Sequence, residues 1–142
     1  MSLAQRGLAA RCQLLADLGV AMLEQPLPPT TTRRWKTSFI RCRFAPTSCH
    51  TRESLPRLRG RYEMVNIKLD KTGGLTEALA LAGEAERQGF ERMLGCMLCT
   101  SRGIAAALPL APLARFADLD GPTWLAVDVE PALRFSTGVL HL

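Results

Sequence analysis

Apolar residues recur along this chain with two periods, and the alternation between them predicts most of its elements. Leu8, Cys12, Leu15 and Ala16 share one helical face, and Gly19 follows as a C-terminal stop. Residues 20–23 are a short continuous apolar run ending in Glu24-Gln25-Pro26, which reads as a buried strand. The pattern then breaks. Residues 27–47 carry early prolines, a Thr triplet and no clean period of either kind. A short helical stretch returns over 52–58, and residues 64–68 form the second clear strand. Leu75, Ala78, Leu79, Ala82 and Ala85 make the apolar face of the next helix, with Glu77, Glu84, Glu86 and Arg87 outside it and Gly89 ending it. Residues 92–98 read as a third strand, 101–110 as a helix of small residues and 115–119 as a fourth strand. The tail from Trp124 is weakly patterned and fits either a last hairpin or a strap across one end of the fold.

Strands alternating with helices imply βαβ units and a parallel sheet. Lys68 to Cys96 is 28 positions and Cys96 to Asp118 is 22, a normal βα pitch. A complete eight-unit barrel needs about 250 residues, so 142 residues hold only part of one. The expected class is α/β: the C-terminal half of a (β/α) TIM-type barrel, with parallel βα units and incomplete.

Composition narrows this picture. Apolar content of 47% with only 6% aromatics suits an aliphatic interior of helices on a sheet. No apolar run approaches the roughly 18 residues needed to span a bilayer, so no membrane is expected as a partner. The net charge of +5 suggests a nucleic-acid ligand until its distribution is considered. Arg33, Arg34, Lys36, Arg41 and Arg43 all lie in residues 29–47, which hold no acid, while the remaining charges balance at 13 of each sign. An aberrant basic segment in a neutral chain is the expectation, with no nucleic acid bound. The alternative is a non-catalytic basic binding module, since Trp35, Phe39 and Phe44 interleave with the charges.

Five cysteines are an odd count without a secretion signal, which favours reduced thiols and a cytoplasmic location. Cys96 and Cys99 have C-x-x-C spacing but lack the aromatic-Cys-Gly-Pro setting of a redox pair. No second C-x-x-C completes a zinc site. Buried, strand-embedded thiols are expected.

The chemistry concentrates at residues 62–74, YEMVNIKLDKTGG, where an apolar run delivers Lys68 to a strand end before a Gly-Gly turn. Glu24, Lys68, Cys96, Asp118 and Asp120 all fall at or beside the C-terminal ends of expected parallel strands, the functional face of such folds. Each alone has a mundane reading as a loop or turn residue. Their recurrence at one structural phase makes them a candidate site.

VNIKLDKTGG at 65–74, LGCMLCTS at 94–101 and FADLDGP at 116–122 resemble the last strands of the dipeptide epimerases. These belong to the muconate-lactonizing branch of the enolase superfamily, the mandelate racemase/muconate lactonizing enzyme type. The likeness is greatest to the L-Ala-D/L-Glu epimerases of murein-peptide metabolism, and it covers residues 8–26 and 48–142. It implies proton abstraction α to a carboxylate, assisted by Mg²⁺ on three acidic residues and by two lysines on opposite faces of a dipeptide such as L-Ala-D/L-Glu. Glu24 would match the second metal ligand and Lys68 one of the proton-transfer lysines. Asp118 and Asp120 would hold the dipeptide's ammonium group, and Cys96 would line its pocket.

The chain departs from that pattern in two ways. The family's first metal ligand, its other lysine (in a Lys-x-Lys strand), the first barrel strands and the N-terminal capping domain all precede the region matched here. The third metal ligand sits in Ala-Asp-Glu-Ser, where this chain reads Ala45-Pro46-Thr47-Ser48, so Pro46 replaces a ligand Asp. With its sharp limits and skewed composition, the 29–47 window reads as a segment translated out of frame between two compensating shifts. Resequencing the gene tests this. The expected protein is a truncated, weakly active or inactive fragment, with a capacity to associate through exposed barrel edges. A sister activity, of succinylbenzoate synthase or cycloisomerase type, is the alternative within enzymes. The Asp118/Asp120 pair speaks against it, because those substrates carry no ammonium group.

Overall fold

The computed structural model describes residues 3–26, 43–47, 49 and 51–141. The first helix, α1 (Leu3–Asp17), closes where Leu18, Gly19 and Val20 donate N–H bonds back to Leu14, Ala16 and Leu15. Gly19 takes φ +85°, the left-handed turn that such helix ends need. Strand β1 (Met22–Glu24) then pairs in parallel with β2 (Arg43–Ala45), in the register Met22↔Arg43, Leu23↔Phe44 and Glu24↔Ala45. β2 was not expected: it sits near the end of the patternless window, of which residues 27–42 lie outside the described residues.

Beyond β2, Cys49 bridges in parallel to Ile67 and donates its N–H to Asn66 O at 2.7 Å. That bridge links the two-stranded sheet to a three-stranded parallel one made of β3 (Met64–Lys68), β4 (Glu91–Gly95) and β5 (Phe116–Asp118). The short α2 (Leu55–Leu58) precedes β3, and between these strands lie the short α3 (Leu69–Thr72), the longer α4 (Leu75–Arg87), and α5 (Ser101–Ala107). The result is the expected α/β architecture of parallel strands and helices, a partial barrel that does not close among the described residues. The tail ends in an antiparallel hairpin, β6 (Arg134–Ser136) and β7 (Val139–His141).

Alternation along the strands sorts side chains into two layers. Val65, Ile67 and Leu94 face the helices and pack with Ala78, Leu81, Ala82 and Ala85 of α4. Met64 and Met93 point the other way, into a layer shared with Ala45, Met22 and Phe116. A third cluster joins Cys12 of α1 to Phe44 and Tyr62. The buried stripe of α4 keeps the expected Ala78, Ala82 and Ala85, with Leu75 partly buried, but takes Leu81 in place of Leu79, which is exposed. The two leucines lie about 200° apart on a helix, and only the sheet beneath decides between them.

At the N-terminal ends of the strands, Glu91 Oε1 accepts from Arg43 Nη1 at 2.9 Å and Arg115 Nη1 at 3.1 Å. Arg43, the only basic residue of the 29–47 window that is described, therefore serves an ion pair within the fold. Among the described residues no helix is long and apolar enough to cross a membrane.

Candidate functional site

Lys68, Gly95 and Asp118 stand in one row across three strands, because the register pairs Lys68 with Gly95 and Gly95 with Asp118. Residues in one row of a parallel sheet share a face, and here that face continues the Met64/Met93 layer. Asn66, two residues before Lys68, faces the same way. Gly95 is what lets the Asn66 and Lys68 side chains lie across the row. A Cβ there would lie 2.5 Å from Asn66 Oδ1 and 3.0 Å from Lys68 Cε.

Glu24 reaches this row from β1. Its Oε1 lies 3.6 Å from Lys68 Nζ and accepts a hydrogen bond from Asn66 Nδ2 at 3.2 Å. The Asn66 amide also donates to Thr47 O at 3.2 Å. Both neighbours accept only, so they fix which way the amide faces. Its Oδ1 is thereby left buried and without a hydrogen-bond partner. At this separation a charge pair gains about 4 kcal/mol at an effective dielectric near 20, and the desolvation of both ions offsets much of that. The pair's value is positional: it holds Lys68, which is buried, at the end of its strand.

Asp118 ends β5 and Asp120 follows in the turn, where its Oδ2 accepts from Trp124 Nε1 at 2.9 Å. Partial burial first, then the neighbouring Asp120 charge, raises the Asp118 carboxyl above its ordinary value, while Lys68 opposes the shift. The two carboxylates thus meet, on the far side of Gly95 from Lys68. Cys96 lies just past β4 with its sulfur against Gly121, where a Cβ would lie 3.2 Å from it. Burial raises its thiol pKa, Gly121 works against that, and Asp118 and Asp120 add to it. The expected third strand stops at Gly95, so Cys96 and Cys99 lie in the following loop and are only half-buried. Strand-embedded cysteines at these positions are therefore incorrect. Met97, Leu98 and Trp124 stand exposed around the same end of the sheet.

Each candidate from the sequence is thus accounted for: Glu24, Lys68, Asp118, Asp120 and Cys96 all lie at the C-terminal ends of parallel strands. Asn66 was missed. Its signal was present, a polar residue at the centre of an apolar strand and in phase with Lys68.

A divalent cation needs several oxygen ligands, and among the described residues no three His, Cys, Asp or Glu side chains converge. Glu24 instead faces an ammonium and an amide, and buried Pro46 beside it offers no side-chain donor. The donor set among the described residues does not fit Mg²⁺ by itself.

Residues 4–142 match the profile described as "Enolase C-terminal domain-like". The chain belongs to this family. The L-Ala-D/L-Glu epimerase of Escherichia coli (strain K12) is 73% identical over 140 residues, covering 96% of this chain and 43% of that enzyme. A solved L-Ala-D/L-Glu epimerase superposes with a TM-score of 0.91 at 71% identity, over 96% of this chain and 43% of its own. The dipeptide epimerase from Methylococcus capsulatus, solved with Mg and the dipeptide L-Arg-D-Lys, gives 0.82 at 35% identity, over 96% and 42%. The chain is a close homologue of L-Ala-D/L-Glu epimerase that spans less than half the length of these relatives, corresponding to their C-terminal part.

Proposed function

We propose that this chain carries the C-terminal part of the site of an L-Ala-D/L-Glu dipeptide epimerase acting on murein peptides in the cytoplasm, and that it is weakly active or inactive by itself. The observation that carries the reading is the Lys68–Gly95–Asp118 row, with Glu24 at 3.6 Å from the lysine. Lys68 is the group that takes or returns a proton at the α-carbon of the dipeptide's C-terminal residue. Asp118 and Asp120 bind the α-ammonium of its first residue as a charge-assisted pair. Gly95, where a methyl would press on Asn66 and Lys68, lets those two side chains lie against β4, and Cys96 lines the pocket.

Inversion at carbon needs a proton donor on the face opposite the base, and enolate formation needs its charge neutralised. Lys68 is the one lysine described on this row, and Glu24 the one metal-ligand candidate beside it. Loss of single members from such units commonly costs several orders of magnitude. L-Ala-L-Glu in D₂O with added Mg²⁺, followed by proton NMR, tests this reading. Binding that weakens in Asp118→Asn, without α-proton exchange above the buffer rate, is expected. Exchange that disappears in Lys68→Ala would show a working site and overturn the inactivity. Binding unchanged in Asp118→Asn would overturn the ammonium site.

A further inference from the structure

We propose that Trp124 is a positioning residue of the ammonium site, its indole N–H holding the Asp120 carboxylate in the orientation in which Asp120 and Asp118 share one ammonium. The inference rests on the reading of that acid pair as the place where the dipeptide's ammonium binds. Trp124 is 74% exposed, so this large apolar ring gains little from packing where it stands. Its one polar atom is nevertheless committed, with Nε1 at 2.9 Å from Asp120 Oδ2. An indole N–H only donates and an ionised carboxylate only accepts, so the direction of the bond is fixed.

The turn that carries the ring is seated firmly. Residues 121–124 form a short 3₁₀ turn directly after Asp120. The Thr123 N–H and hydroxyl both donate to Asp120 O, at 2.9 and 2.7 Å, so Thr123 holds the main chain of Asp120 while Trp124 holds its side chain. Gly121 and Pro122 are buried. A Cβ on Gly121 would lie 2.6 Å from Met97 O, so the turn rests directly on the main chain of the loop that follows β4. The indole donor is thereby fixed to the same end of the sheet that carries Asp118. Two carboxylates two residues apart repel each other, and the charge of Asp120 adds to burial in raising the Asp118 carboxyl. Left alone, the exposed Asp120 side chain would relieve that repulsion by turning out to water. The bond from Trp124 opposes this rotation, engages one oxygen and leaves the other to a ligand. An arriving ammonium then meets two carboxylates already in place, without the cost of ordering the second.

Trp124→Phe keeps an aromatic ring and removes the donor, at an exposed position where the fold should tolerate it. The full chain and this variant are titrated with L-Ala-L-Glu and with N-acetyl-L-Ala-L-Glu, which has no ammonium. The parent should prefer the free amine, and Trp124→Phe should lose about fivefold in affinity for L-Ala-L-Glu and nothing for the acetylated form. A preference that the variant keeps in full would overturn the role of Trp124 and leave the ammonium site standing. Equal weakening for both ligands would also overturn it, since the ring would then act as a packing surface. A parent that binds the two ligands equally, or binds neither, would remove the ammonium site and this role with it. The bond itself is read without any ligand. The chain has one other tryptophan, Trp35, so the indole N–H resonance that disappears in Trp124→Phe is assigned by its loss. In Asp120→Ala that proton should exchange with solvent about tenfold faster, and an unchanged rate would overturn the proposal.

Discussion

β3 and β4 pair over five residues and lie under α4, whereas β1 and β2 pair over three and lean on α1. The first half is held by side chains: Val65, Ile67 and Leu94 interlock with a stripe of α4, and all three are buried. The second half has a shorter ladder and a smaller side-chain cluster, Cys12, Phe44 and Tyr62 with Leu15 and Leu23, helped by the Gln25 N–H on Ala45 O at 2.8 Å. The site lies across the seam. Lys68 and Asn66 come from the thick half, Glu24 from the thin one, and their contacts at 3.6 and 3.2 Å are among the polar contacts that join the halves, with the Arg43–Glu91 ion pair at the opposite strand ends. A site built this way can keep its lysine in place while its carboxylate depends on a weaker scaffold.

Core truncation tests the contrast most severely. Leu81→Ala, at a fully buried position, is expected to cost about 2–5 kcal/mol by urea denaturation. Leu23→Ala, at a half-buried position on β1, should cost about half as much. Equal losses would erase the distinction between the halves. Gly95→Ala should cost about 1–3 kcal/mol through overpacking, because its methyl would collide with the buried Asn66 amide. It should also separate Lys68 from Glu24, which the lysine ammonium resonance would report.

Smaller effects concern the tail. Asp128 accepts from the Ser101 N–H at 2.9 Å and from the Ser101 hydroxyl, and these bonds lower its pKa. A carboxylate depressed on folding stabilises above its unfolded pKa, and that contribution is lost as pH falls through the folded value. Amide exchange at Ser101 and Leu133 should therefore accelerate on acidification below the ordinary aspartate value of 3.8, and Asp128→Asn should remove that dependence. Smallest of all, Arg52→Ala should leave the melting temperature within error of the parent. Its two contacts to Glu77, at 2.9 and 3.2 Å, are exposed.

The thick half was legible in the sequence because its period repeats. MVNIK and the Ala-Leu stripe after Gly74 each announce one element, and both elements formed. The positive φ angles at Gly73 and Gly74, +80° and +124°, explain the Gly-Gly turn between them. β2 was invisible because a three-residue parallel strand is specified by main-chain bonds that Arg43, Phe44 and Ala45 supply whatever their side chains. The end of β4 was misjudged because Met97 and Leu98 are apolar but exposed, and a continuous apolar run does not show where pairing stops. The site's acids and lysine were legible from their phase at strand ends. The Asn66 bonds to Glu24 and Thr47 were not, since they join residues 42 and 19 positions apart.

The Asp128 carboxylate bears on the order of events during synthesis. α5 has seven residues, too few to persist alone in water, and Thr100 at its start supplies no side-chain cap. Its leading amide is satisfied instead from 27 positions downstream, and the Ser101 hydroxyl in turn receives the Leu133 N–H at 2.9 Å. Those bonds at the start of α5 form only once the tail has been made. Until then the loop bearing Cys96 and Cys99 lacks its finished anchor, and a stalled or clipped chain would expose it first.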